Sequence, residues 1–182
     1  MKVTTFLTDG FETVEALAVI DILRRAGIDV ETVSVTGNTT VVSAQKIPVV
    51  ADRLFEEADF EASDMLFLPG GPGHTSYFEH EQMLDVLKEH FSKNKRIAAI
   101  CAAPSVLGRL GMLKGRKATA FPGFEKYLEG AQIQYAPVRV VTDGNVTTSR
   151  GMGTSIDLGL EIVRLLVGED EAKELGRSTQ YM

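Results

Sequence analysis

One cysteine among 182 residues leaves no partner for an intrachain disulfide, so stability owes nothing to an oxidising compartment. Long apolar runs are missing too: no stretch approaches the ~20 residues that a membrane-spanning helix needs. The opening run, Met1-Lys2-Val3-Thr4-Thr5-Phe6-Leu7, is too short for a signal peptide and no small-residue cleavage pattern follows it. It reads as a first strand, and the protein is expected in the cytoplasm. Excess positive charge is absent. The formal net charge is −6 and the longest basic cluster is Lys93-Asn94-Lys95-Arg96, which argues against nucleic acid or an anionic membrane as partner. No repeat, low-complexity segment or linker interrupts the chain, so a single domain over residues 1–182 is expected. No His/Cys/Asp cluster has metal-ligand spacing, and neither G-x-x-x-x-G-K-[ST] nor G-x-G-x-x-G occurs. No metal or other cofactor is expected.

The hydrophobic content of 44% and charged content of 24% are those of a soluble globular chain long enough to bury a full core. Strand and helix patterns alternate. Strands are predicted over Val3–Leu7, Asp29–Val35, Met65–Leu68 and up to Ile100, with a short one over Lys117–Ala120. The segment Thr39–Asp52 reads as short strands or an edge excursion, because Pro48 is unwelcome in a central ladder. Helices are predicted over Glu12–Ala26, closed by Gly27, over Glu81–Asn94, from Cys101 to near Gly111, and over Thr154–Leu166 and Glu169–Leu175. A helical turn is expected within Gly123–Leu128. Val138–Val141 and Asn145–Thr148 read as a hairpin joined by Asp143-Gly144. Strands separated by amphipathic helices imply an α/β fold, a mostly parallel sheet covered on both faces. Sites in such sheets lie beyond the carboxyl ends of the strands near a topological switch point. The loop after Leu7, the glycine turn after Leu68 and Cys101 meet that rule.

Cys101 follows a buried run, Ile97-Ala98-Ala99-Ile100, and precedes Pro104, which suits a first helical turn. This is the pattern of a nucleophile elbow, in which a strand delivers a reactive side chain to a helix N-terminus. A thiol there is expected to have a depressed pKa; a buried structural cysteine fits the same local pattern. Glu15 has Ala18, Val19 and Ile22 three, four and seven residues onward, so it begins an inward-facing stripe. Desolvation of such a carboxyl favours its protonated form, able to donate to a thiolate or to exchange protons with substrate. A solvated first-turn glutamate is the alternative, which Glu12 fits better. Gly70-Gly71-Pro72-Gly73 lets backbone N–H groups approach a ligand, and the N–H groups of Gly71 and Ala102 could form an oxyanion hole. Of the histidines, His80 and His90 are expected in solvent, whereas His74 could line a pocket. Asp21 with Arg24 and Arg25 reads as a surface ion pair.

Four ordered motifs resemble the ThiJ/PfpI superfamily, in the branch of the human parkinsonism-associated deglycase and its bacterial homologues. They are Glu12-Thr13-Val14-Glu15 with Asp21 and Arg24-Arg25-Ala26-Gly27, Leu68-Pro69-Gly70-Gly71, Ala98-Ala99-Ile100-Cys101-Ala102, and Thr148-Ser149-Arg150-Gly151 with Gly153-Thr154. The resemblance implies a flavodoxin-like three-layer sandwich that forms homodimers. It implies Cys101 as nucleophile on a strained elbow, Glu15 as its protonated carboxyl partner, and Gly71 and Ala102 as oxyanion donors. Gly70, His74 and Phe121 would line the substrate pocket. Asp21, Arg24, Arg25 and Arg150 would lie near the dimer contact. The implied activity is on small reactive carbonyls, as a glyoxalase or deglycase, with a redox-sensing thiol as the alternative. One departure matters: many members place a histidine just before a proline after the elbow helix, and here Phe121 precedes Pro122. The protease-like branch places histidine directly after the cysteine, and here that residue is Ala102. Without either imidazole a Cys-His peptidase mechanism has no base.

Overall fold

The computed structural model describes residues 1–182. Its strands are β1 (Lys2–Leu7), β2 (Asp29–Ser34), β3 (Thr40–Val42), β4 (Pro48–Val50), β5 (Arg53–Leu54), β6 (Met65–Leu68), β7 (Arg96–Ile100), β8 (Lys117–Ala118), β9 (Gln132–Ile133), β10 (Val140–Asp143) and β11 (Val146–Ser149). The α-helices are α1 (Thr13–Arg25), α2 (Glu81–Ser92), α3 (Pro104–Arg109), α4 (Ser155–Leu166) and α5 (Glu169–Ser178). Seven strands form one sheet in the order β10-β11-β7-β6-β1-β2-β5, parallel throughout except for the β10–β11 pair.

The central strands are apolar on both faces, and their period of two sorts them between two cores. Val3 and Leu7 of β1, Met65 and Phe67 of β6, and Ala98 and Ile100 of β7 pack beneath α1, α4 and α5. Phe6, Leu66, Leu68, Ile97 and Ala99 point the other way, toward α2 and α3. This is the three-layer α/β sandwich that the sequence pattern implies. Helices α1 and α4 meet closely at Gly159, where a Cβ would lie 2.9 Å from Ile22 Cβ.

Several short elements differ from the sequence expectation. The short strands expected within Thr39–Asp52, by contrast, are present, as a separate antiparallel ribbon, β3–β4, in which Pro48 sits opposite Val42. The strand expected over Lys117–Ala120 stops at Ala118 and pairs with β9, outside the main sheet. The terminal hairpin turns at Gly144-Asn145, two residues between β10 and β11. His90 is 4% exposed rather than solvated, its imidazole pushed down to about 4 mainly by burial. His80 is half-buried; its Nδ1 accepts from Met83 N–H at 3.2 Å and caps α2.

The order of the strands locates the site. From β1 the chain builds outward through β2 to β5, then returns to β6 and builds the other way through β7 to β11. The reversal between β1 and β6 opens a crevice at their carboxyl ends. The loops after β1, β6 and β7 converge there.

Candidate active site

Cys101 leaves β7 with φ +64°, in the left-handed region that costs a non-glycine residue ~1 kcal/mol or more. Its backbone is clamped on both sides. The Cys101 N–H donates to Ser149 O at 3.0 Å, and the Phe121 N–H donates to Cys101 O at 2.9 Å. Helix α3 begins at Pro104 just beyond. The nucleophile elbow is therefore present, and the side chain is half-buried rather than sealed in the core.

Glu15 is 1% exposed. The Glu12 carboxylate caps α1 by accepting the Glu15 N–H at 2.8 Å, which fixes the first turn and aims Glu15 inward. Glu15 Oε2 accepts the Gly70 N–H at 3.0 Å, and the Met152 N–H also faces the carboxyl. Gly70 is the hinge of the arrangement. A Cβ built on it would lie 2.6 Å from Cys101 Cβ and 2.6 Å from Glu15 Oε2, so those two atoms are at most twice that distance apart. Only a residue without a side chain lets the carboxyl and the thiol meet across this strand end. Gly71 follows with φ +94°, and the N–H groups of Gly71 and Ala102 both face the sulfur.

The charges of the pair are set by burial and by each other. Desolvation pushes the Glu15 carboxyl up to about 7, with the nearby Glu12 charge adding to it and the hydrogen bonds to Cys101, Gly70 and Met152 opposing it. Desolvation likewise pushes the Cys101 thiol up to about 12, and an ionised Glu15 beside it pushes the same way. The depressed thiol pKa expected from the helix N-terminus is thus corrected: the two N–H donors act downward, but burial and the facing carboxylate outweigh them. The push from Glu15 exists only while Glu15 is ionised. A protonated Glu15 removes it and offers its own O–H to the sulfur. The pair therefore titrates as a unit, sharing one proton once the other has left.

The other expected site residues divide. Phe121 lies at the site, 46% exposed, its ring edge 3.1 Å from where a Gly151 Cβ would stand, while Glu15 Oε1 lies 3.7 Å from that point. His74 is buried and its Nδ1 donates to Gly71 O at 2.8 Å, so it braces the glycine turn; the pocket it lines contains neither Cys101 nor Glu15. Arg25 pairs with Asp21 at 2.7 Å on the exposed side of α1. Arg24 turns elsewhere, to Val30 O at 3.0 Å and Asp52 Oδ2 at 3.2 Å. Arg150 is half-buried beyond β11, with one guanidinium nitrogen buried and without a hydrogen-bond partner. Residue reasoning missed the Met152 N–H and the Glu12 cap. Met152 carries no side-chain signal because only its backbone acts; Glu12, expected as a solvated first-turn residue within the helix, stands one place ahead of it as the cap.

A parallel α/β sandwich with a strained cysteine at the end of a central strand and a buried carboxyl beside it defines a nucleophile-elbow protein. The DJ-1/PfpI family profile matches residues 1–165, and the chain belongs to that family. It is 39% identical over 176 residues to Protein DJ-1 homolog B of Arabidopsis thaliana, covering 95% of this chain but 40% of the plant protein's length. A Pyrococcus abyssi protein named a deglycase is 31% identical, with 91% of this chain and 99% of the archaeal one covered. Among solved structures, oxidised Toxoplasma gondii DJ-1 superposes with a TM-score of 0.93 at 32% identity, over 98% of this chain and 97% of that one.

Proposed function

We propose that the protein is a cofactor-independent cysteine enzyme acting on small reactive carbonyls, of the glyoxalase or deglycase kind. The observation that carries this reading is the buried Glu15 carboxyl held beside the Cys101 sulfur by the Gly70 N–H. In the tautomer with the proton on Glu15, the thiolate attacks the aldehyde carbon of a 2-oxoaldehyde such as methylglyoxal. The oxygen of the resulting hemithioacetal receives the proton that Glu15 held. Glu15, now a carboxylate, removes the hydrogen of the former aldehyde carbon and returns it to the neighbouring carbon, while the hemithioacetal hydroxyl proton passes to that carbon's oxygen, leaving a hydroxyl there and a thioester at Cys101. Water then cleaves the thioester, releasing a 2-hydroxy acid and regenerating the thiol. The N–H groups of Gly71 and Ala102 stabilise the negative charge as it passes from sulfur to oxygen. A carboxyl whose pKa lies near 7 is matched to such two-way proton transfer. A histidine is not required, which agrees with Phe121 beside Cys101. The archaeal relative named a deglycase supports the same chemistry with hydrolysis of an amine or thiol adduct as its outcome.

The test is purified protein with methylglyoxal, assayed for lactate. Cys101→Ser is expected to abolish turnover and Glu15→Gln to lower kcat by about 10²-fold or more. Equal rates in all three proteins would refute the reading.

A second reading is favoured by one observation, that two backbone N–H groups already face the sulfur. These donors suit a sulfinate as well as a thiolate, and the Toxoplasma relative has been solved in an oxidised form. On this reading Cys101 is a redox sensor or stress-protective thiol. Mild peroxide is then expected to add two oxygen atoms at Cys101 alone, seen by intact mass, in a protein with no carbonyl turnover. A thiol that resists peroxide would remove this reading.

A further inference from the structure

Behind the elbow helix α3 lies a second cavity, of about 480 Å³, that shares no lining residue with the Cys101–Glu15 pair. Its walls are a chain of rings. His74 meets Phe78 edge-on at 6.1 Å and Phe124 edge-on at 5.3 Å, and Phe124 meets Tyr127 at 5.8 Å. His74 is buried and fixed through Nδ1 to Gly71 O. The guanidinium of Arg109 lies over the Phe78 ring at 5.1 Å. Glu129 also lines the cavity. Neither Arg109 nor Glu129 forms an ion pair with any residue of the chain.

The volume is that of a small-molecule site, which typically spans ~300–1,000 Å³. Ring faces and edges select a planar apolar group. An unpaired guanidinium held in place by stacking selects a carboxylate, which it can grip with two parallel N–H bonds. An unpaired carboxylate on the same cavity selects an ammonium. We propose that this cavity is a binding site for an amino-acid-sized zwitterion with an aromatic side chain. Its carboxylate lies on Arg109, its ammonium on Glu129 and its ring among Phe78, Phe124 and Tyr127. The proposal is independent of the chemistry assigned to Cys101.

The probe is L-phenylalanine, titrated calorimetrically into the full chain with its thiol reduced. Saturable one-site binding is expected. Phenylpropionate, which lacks the ammonium, and phenethylamine, which lacks the carboxylate, are each expected to bind about tenfold more weakly, the worth of one exposed charge-assisted contact of ~1.4 kcal/mol. Arg109→Ala is expected to weaken phenylalanine about tenfold. Glu129→Gln is expected to weaken phenylalanine but not phenylpropionate. Both side chains are exposed, so neither substitution threatens folding. Cys101→Ser is expected to bind as wild type. No saturable binding of phenylalanine, binding indifferent to both variants, or binding lost in Cys101→Ser would each overturn the assignment, the last by placing the ligand at the thiol.

Discussion

Replacing Glu15 by glutamine is expected to stabilise the protein at pH 8 and to leave it nearly unchanged at pH 4. The reasoning is linkage. Burial raises the folded-state pKa of Glu15 to about 7 from an ordinary 4.5, so between those values the folded state binds a proton that the unfolded state has released. Stability tied to this group is fully present below pH 4.5, declines as pH rises, and is lost above about 7. At 1.36 kcal/mol per pH unit, the interval corresponds to a cost of up to ~3 kcal/mol at alkaline pH. Glutamine cannot ionise and escapes it. For a chain of this size the cost converts to a melting temperature about 5–10 °C higher for Glu15→Gln than for wild type at pH 8. Thermal unfolding of both proteins at pH 4, 6 and 8 checks it. A gap that stays constant with pH would mean that Glu15 is not a raised, buried carboxyl. The same substitution should simplify the pH profile of Cys101 alkylation from two steps to one, because the pair is then no longer a pair.

Gly70→Ala is expected to cost ~1–3 kcal/mol and to part the thiol from its carboxyl. The added methyl would stand 2.6 Å from Cys101 Cβ, 2.6 Å from Glu15 Oε2 and 2.8 Å from Ile100 O. Two of these belong to the elbow itself, whose backbone is clamped by Ser149 and Phe121, so nothing nearby yields cheaply. The carboxyl is the softest neighbour and is the group expected to move. Urea midpoints read the stability, and alkylation of Cys101 across pH reads the separation. Gly153→Ala is the control: a Cβ there meets nothing within 4 Å, and near-wild-type behaviour is expected. If Gly70→Ala behaved like the control, the contact geometry assigned to the site would be wrong.

What the sequence disclosed depended on how much side-chain pattern each element carried. The buried run Ile97–Ile100 and the breaker Pro104 marked the elbow, because a fully covered strand and a helical first turn each have residue signatures. Glu15 was legible from the apolar residues at helical spacing behind it. The pairing of the two was not, since it rests on Gly70, whose contribution is an absent Cβ, and on the order in which three parallel strands are laid side by side. The four ordered motifs of the family supplied that link. β5 and β9 escaped detection because two residues cannot display a period. His90 differs from expectation because α2 carries many charged residues around it, yet its one inward histidine falls under the two segments that enter β6 and β7, with Asp64 and Lys95. The thiol pKa was misjudged because a helix terminus can be read from sequence while the amount of water removed cannot.

The reversal of strand order has a consequence for how the protein comes to life on its ribosome or in a refolding tube. Glu15 arrives with the first strand and its helix, and Cys101 only after some eighty further residues, on the opposite side of the seam. The unfolded chain lacks both the burial and the neighbouring carboxyl that raise the thiol's pKa, so its alkylation rate is expected to fall as the wings of the sheet join. Its reagent profile therefore dates the moment at which the wings join, giving the chain a built-in clock for its own assembly.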